Sequence, residues 1–348
     1  MIDVRDLTFC FQGSSRPALR GVDLAIEPGE FLVITGPSGC GKSTLALALG
    51  GYLFRQYDGQ AGGAVVVDGM DARRQPIYDL AEVVGLVQQN PEVQFCTLTV
   101  EDEVAFGLEN RRLPRDEIQA RIDWALEVAG AAHLAGRSLA TLSGGEKQKV
   151  AIAAMMATRP RLIIFDEPTS NLDPAATAEI FQVIADLRRQ AGLAVVVIEH
   201  KLEALLPFTP RLVAMEAGRI VYDGPARDAP RPALPPPATN GQTMPAGEPL
   251  VRAYNLHAGY EGRFMLRGIS LEVRPGEFIA VMGDNGSGKT TFLLSLLGLI
   301  KPSNGYVQVL GNDTRHTPVS RLARDAGLVF QNPDHQLFAD SVWAEATF

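Results

Sequence analysis

Apolar residues in this chain fall into two kinds of run. Phe31–Ile34, Leu162–Phe165 and Leu193–Ile198 carry no polar alternation, the mark of strands buried on both faces. Leu7-Thr-Phe9-Cys-Phe11, Leu24-Ala-Ile26 and Val65–Val67 are further short strands, and Val83–Val87 is another that leads into Gln88-Gln89-Asn90-Pro91. The second kind is helical. Between Arg115 and Gly130, Ile118, Ile122, Leu126 and Ala129 recur at helical spacing with charges between them. Another helix opens at Ser143, a good N-cap with Glu146 in capping-box position, and runs through Ala157. Helices alternating with fully apolar strands predict an α/β fold, a mostly parallel sheet covered on both faces.

The pattern breaks between Pro225 and Pro249, where prolines crowd a stretch without periodicity; residues 225–249 read as a semi-rigid linker. Beyond it the beginning repeats. Pro275-Gly276-Glu277-Phe278 matches Pro28-Gly29-Glu30-Phe31, and Gln331-Asn332-Pro333 matches Gln89-Asn90-Pro91 at nearly the same offset. The sequence therefore predicts one domain over residues 1–224 and the N-terminal part of a second over 250–348. Phe348 is reached before any counterpart of Leu142–Glu146, Asp166-Glu167 or His200, so the second copy is expected to be incomplete and its core open.

A net charge of −8 over 348 residues argues against an electrostatically driven nucleic-acid binder. Cys10, Cys40 and Cys96 have no metal-type spacing and read as free thiols in a reducing cytosol. The longest apolar runs, Leu193–Ile198 and Phe292–Ile300, fall short of the ~20 residues of a membrane-spanning helix. Any membrane role would run through partners.

The candidate chemistry begins where the run Phe31–Ile34 gives way to Gly36-Pro37-Ser38-Gly39-Cys40-Gly41-Lys42-Ser43-Thr44 and then to an apolar helix. Strand, glycine loop, helix is the context of a phosphate-binding loop. Backbone N–H groups and the helix N-terminus favour an anion there; Lys42 would reach the β- and γ-phosphates and Ser43 would ligate Mg²⁺. Gly283-Asp284-Asn285-Gly286-Ser287-Gly288-Lys289-Thr290-Thr291 repeats the pattern, with Thr290 in the metal position. Asp166, at a strand end, can hold Mg²⁺ beside Ser43. Glu167 next to it is placed as a general base, and His200 could orient the attacking water. Gln89 offers a neutral amide to metal or water, and Gln331 would do so in the second copy.

Taken in order, this loop, Gln89, Leu142-Ser143-Gly144-Gly145-Glu146, Asp166-Glu167, Ser170-Asn-Leu-Asp173 and His200 closely resemble the ATP-binding-cassette ATPases. The resemblance covers residues 1–224 fully and 249–348 in part. It implies a P-loop fold with a cassette-type core sheet and a helical subdomain, repeated with the second copy incomplete. It also implies ATP and Mg²⁺ as ligands, and the Ser143–Glu146 stretch binding the nucleotide of a facing cassette. Phe11 and Tyr260 match the family's adenine-stacking aromatic; a core or edge-strand role is the alternative for each. Gln89-Asn-Pro-Glu-Val-Gln-Phe-Cys-Thr-Leu-Thr-Val, with Gln331-Asn-Pro-Asp-His-Gln-Leu-Phe in the repeat, is similar to the energy-coupling-factor importers. That branch implies hydrolysis at a cassette dimer, homomeric or heteromeric, on the cytoplasmic face of the membrane. Its partners are a transmembrane coupling subunit and a substrate-binding membrane subunit, and its cargo a vitamin, a vitamin precursor, cobalt or nickel. Phe95, Thr97 and Leu98 would then lie near the coupling groove, with burial the equal alternative for the apolar residues there. The alternatives are a soluble twin-cassette ATPase acting on ribosomes or DNA, and a non-hydrolysing fragment.

Overall fold

The structure is a computed structural model that describes residues 1–170, 172–200, 202–229, 247–260, 263–330 and 336–347. Gln331, Asn171, the side chain of Tyr260 and most of the proline-rich stretch lie outside the described residues. The chain divides into two compact units, Met1–Ala233 and Leu234–Phe348.

In the first unit the elements run β1 (Ile2–Phe11), β2 (Leu19–Ile26), β3 (Phe31–Thr35), α1 (Lys42–Leu49), α2 (Leu53–Gln56), β4 (Gly59–Val67), β5 (Met70–Asp71), α3 (Ile77–Leu80) and β6 (Val84–Val87). They continue with α4 (Val100–Asn110), α5 (Arg115–Val128), α6 (Gly144–Ala157), β7 (Leu162–Asp166), α7 (Pro174–Ala191), β8 (Ala194–Ile198), α8 (Leu202–Leu205), β9 (Arg211–Glu216) and β10 (Arg219–Pro225). The central sheet has the order β10-β9-β3-β8-β7-β6, parallel from β9 to β6, with β10 antiparallel at its edge. A second, antiparallel sheet, β2-β1-β4-β5, is a separate layer that the sequence pattern does not distinguish from the first.

The unalternated strands are explained by two cores, one on each face of the central sheet. Leu32, Ile34, Ile164 and Val196 point to one face and pack with α1 and the antiparallel sheet, through Leu45, Leu49, Ile2 and Phe9. Val33, Phe165, Val195 and Val197 point to the other and meet the helical layer at Val104, Ile122, Val150 and Ile180. Burying each such aliphatic side chain is worth about 1.5–3 kcal/mol, so both faces had to be apolar. Of the stripe on α5, Ile122 and Leu126 are fully inside, as is Ala129 just beyond the helix, while Ile118 packs partly buried at its margin.

The second unit contains β11 (Val251–Tyr260), β12 (Arg263–Val273), α9 (Lys289–Leu296), β13 (Asn304–Val309), β14 (Asn312–Asp313), α10 (Val319–Leu322) and α11 (Val342–Ala346). Its strands form one antiparallel sheet, β12-β11-β13-β14, the counterpart of the smaller sheet of unit one. Residues 278–282, the counterpart of β3, are not a strand, and Phe278 and Met282 are 97% and 87% exposed. With no partner strand beside it among the described residues, an isolated apolar segment gains neither ladder hydrogen bonds nor burial.

Candidate functional site

Parallel pairing decides where the site is. Ile34 is level with Ile198, and Ile198 with Asp166, so β3, β8 and β7 end at one edge, joined there by the end of β6. The loops after these strands therefore converge at the C-terminal edge of the sheet, where open α/β sheets bind ligands.

The first of them is the glycine loop. Gly36 has φ 146°, and a Cβ there would lie 2.1 Å from the Met215 carbonyl. Gly41, at φ 107°, would bring a Cβ to 2.5 Å from the Ala18 carbonyl. Only glycine fits either place, so the loop is held between two backbone walls. Pro37, Ser38 and Gly39 form its exposed crest, with Cys40 buried beneath. Lys42, only 4% exposed, opens α1 and donates from Nζ to the Gly36 and Pro37 carbonyls, 3.0 Å each. Its ammonium thus sits across the loop's concavity, where it matches phosphate oxygens. Ser43 is exposed beside it, and Thr44 turns half-buried into α1.

Asp166 and Glu167 stand at the end of β7. The Ser43 hydroxyl donates to Asp166 Oδ1 across 3.1 Å. Burial pushes the Asp166 carboxyl above the usual carboxylate range, the Ser43 bond opposes that, and the neighbouring Glu167 charge adds to it. A half-buried acid beside a hydroxyl is a fitting donor pair for Mg²⁺, whose remaining ligands would be nucleotide oxygens or water. Glu167 has φ 48°, a left-handed conformation costly for a residue with a Cβ. The turn aims its carboxylate sideways. Gln89 Nε2 donates to Oε2 at 3.1 Å, and His200 Nε2 lies 2.9 Å from Oε1, which requires the proton on Nε2 when Glu167 is ionised. Gln89, Glu167 and His200 thus meet in one cluster, with the Gln89 amide nitrogen spent on the carboxylate.

Ser143, Gly144, Gly145 and Glu146 begin α6. The Ser143 hydroxyl accepts from the Glu146 N–H while the Glu146 carboxylate accepts from the Ser143 N–H, a complete capping box. Glu146 also pairs with Arg137 at 2.9 Å, and these bonds hold its carboxyl below its usual range. The side-chain hydrogen bonds of Ser143 and Glu146 among the described residues go to each other and to Arg137, none to the glycine loop.

Phe11 ends β1 half-buried, its ring edge-on to Phe9 at 4.9 Å and to Tyr57 at 5.7 Å. In the second unit the loop from Gly283 (φ 148°) through Asp284, Asn285, Gly286 and Ser287 to Gly288 (φ 94°) repeats the first one's form. Lys289 Nζ donates to the Gly283 and Asp284 carbonyls at 2.8 and 2.7 Å. Thr290 is exposed and Thr291 buried.

Three participants escape the sequence reading. Arg137 braces the Ser143–Glu146 turn through Glu146 and the Thr141 carbonyl. Glu199, 2% exposed, accepts from Thr169 Oγ1 at 2.6 Å and from the His200 N–H at 2.8 Å, tying the segment after Glu167 to that of His200. Lys147 pairs with Glu92, joining α6 to the Gln89 segment. The one signal for Glu199 is a charged residue closing an unbroken apolar strand.

The ABC transporter family profile matches residues 19–170 and 266–345. An ABC transporter ATP-binding protein of Methanosarcina mazei is 36% identical over 100% of this chain and 69% of its own length. A Bacillus subtilis relative named as an HMP/thiamine import ATP-binding protein is 33% identical over 100% of this chain and 71% of its own. Among solved structures, cbiO1 of Clostridium perfringens, part of the ABC transporter complex cbiONQ, superposes with TM-score 0.58 and 31% identity over 64% of this chain and 88% of that one. The dimeric cassette MJ0796 bound to ADP and Pi gives 0.57 and 28%, over 65% and 98%. This chain belongs to the ABC transporter family, as one of its ATP-binding, ATP-hydrolysing subunits.

Proposed function

We propose that the chain is the ATPase subunit of an energy-coupling-factor type importer, driving uptake of a vitamin, a vitamin precursor, cobalt or nickel through membrane partners. The observation that carries this reading is the segment 89–98. Its inner end bonds Glu167 through Gln89, while Val93 and Leu98 are 66% and 82% exposed, offering apolar surface at its outer end. The name of the Bacillus protein, an import ATP-binding protein, supports an importer, and the Clostridium protein's place in an ABC transporter complex supports work with partner subunits. No helix among the described residues is long and apolar enough to cross a membrane, so a transmembrane coupling subunit and a substrate-binding membrane subunit would supply the path.

In this reading Lys42 and the loop N–H groups hold the β- and γ-phosphates, and Phe11 meets the adenine. Ser43 and Asp166 hold Mg²⁺, which when bound neutralises phosphate charge. Glu167 takes the proton of the attacking water as its oxygen bonds the γ-phosphorus and the bond to the leaving β-phosphate oxygen breaks. His200 and Gln89, bonded to its two oxygens, fix the carboxylate's direction. The Ser143–Glu146 stretch of a facing cassette completes the site. Lys289, Thr290, Gln331 and Tyr260 would serve a second one.

Uptake tests the proposal. Cells whose only copy carries Glu167→Gln should lose accumulation of one labelled vitamin, precursor or metal ion and retain the others. Unchanged uptake of all of them, with the chain sedimenting with ribosomes, would overturn it.

A further inference from the structure

Glu103 lies in the first turn of α4 and is 6% exposed, yet no basic side chain pairs with it among the described residues. Its Oε2 accepts three hydrogen bonds instead: from Cys96 N–H at 2.9 Å, Thr97 N–H at 3.0 Å and Thr97 Oγ1 at 2.9 Å. A buried carboxylate is costly unless its oxygens are bonded, and here one oxygen takes all three donors from residues 96 and 97. The helix already has its cap, because Thr99 Oγ1 accepts from the Asp102 N–H. Glu103 is therefore not needed to start α4; it fastens the preceding segment to it.

The second unit makes the same fastening. Glu345 of α11 accepts from the Phe338 and Ala339 N–H groups at 2.9 and 2.8 Å, while Ser341 caps the helix through the Ala344 N–H. There α11 buries no residue, so the clasp forms without a packed core to impose it.

We propose that Glu103 is a positioning residue of the 89–98 segment, making its outer end move as one body with α4. Gln89 and Glu92 fasten the other end, to Glu167 and to Lys147 of α6. With 96–97 clasped as well, a shift at the nucleotide site reaches exposed Val93 and Leu98 undiminished. This inference rests on the proposed role of the segment in meeting membrane partners.

Hydrogen exchange on the full chain, with and without Mg-ATP, tests it. In the native chain ATP should slow exchange in the Gly36–Thr44 loop, at Gln89–Gln94 and at 95–98 together. Glu103→Leu should keep the first two responses and lose the third, with the 96 and 97 amides exchanging at least about tenfold faster in both states. Because all three bonds end on one oxygen, Glu103→Gln should restore the response at 95–98, which a role in filling space alone would not require. Thr97→Val, which removes the hydroxyl's contacts with Glu103 and the Thr99 carbonyl but keeps both N–H bonds to Glu103, should weaken it partly and serves if Glu103→Leu does not fold. An undiminished response at 95–98 in Glu103→Leu or, failing its folding, in Thr97→Val overturns the inference, as does a Gln variant that behaves like the Leu one. Absence of any ATP response in the native chain would instead count against the ATP site itself.

Discussion

At the scale of single residues, the site is a set of groups whose bonds limit what each can do. Glu167, turned into left-handed φ and bonded at both oxygens, is the candidate base. Glu167→Gln should keep ATP binding within about twofold while turnover falls roughly 10²-fold or more, the scale of losing a general base; binding and single-turnover assays separate the two. Asp166 makes a pH prediction. Its carboxyl is raised by burial, so the folded chain holds that proton more tightly than the unfolded one. Stability must fall as pH rises from the ordinary carboxylate range through the raised value, and the cost is fully present above it. Asp166→Asn, neutral throughout, should therefore raise the thermal midpoint at neutral pH without magnesium and give no gain in acid below the ordinary range. Equal gains at both pH values would sink the attribution. Sequence order identified these residues because a carboxylate pair after an apolar strand is rare. It could not reveal Glu199, Arg137 or Glu103, whose partners are set by tertiary contacts or by backbone N–H groups that carry no sequence signature.

At the scale of elements, the strands after which the site residues stand were legible because burial on both faces forces unbroken apolar runs. The separate antiparallel sheet was not, since pairing partners are not written in either strand alone. The segment 89–98 shows the same limit. The resemblance to energy-coupling-factor importers groups Phe95, Thr97 and Leu98 as coupling candidates, but Phe95 packs partly buried against the helical core while Leu98 stands 82% exposed. The two should respond differently to a charge. Leu98→Asp should abolish capture of detergent-extracted membrane subunits and leave the thermal midpoint within error. Phe95→Asp should lower the midpoint, because a carboxylate is forced toward an apolar core. Capture unaffected by Leu98→Asp would put the contact elsewhere.

At the scale of the whole molecule, the two units show which features are local. The glycine loop with its lysine bridging two carbonyls forms in both, as does the glutamate clasp. The strand leading into the loop forms only where β8 and β9 flank it. Local sequence therefore suffices for the phosphate loop, while the edge that gathers Gln89, Glu167 and His200 needs the whole central sheet. Among the described residues of the first unit the Ser143–Glu146 turn makes no hydrogen bond to the glycine loop, and in the function proposed above a second cassette opposite the first completes the site. The steady-state ATPase rate per mole of the 348-residue chain, measured against its concentration, tests this central claim most directly. Mass action predicts specific activity that climbs with concentration and levels off when paired chains saturate, and that is nearly absent throughout for Glu167→Gln. A specific activity independent of concentration in a chain shown to be monomeric would contradict it.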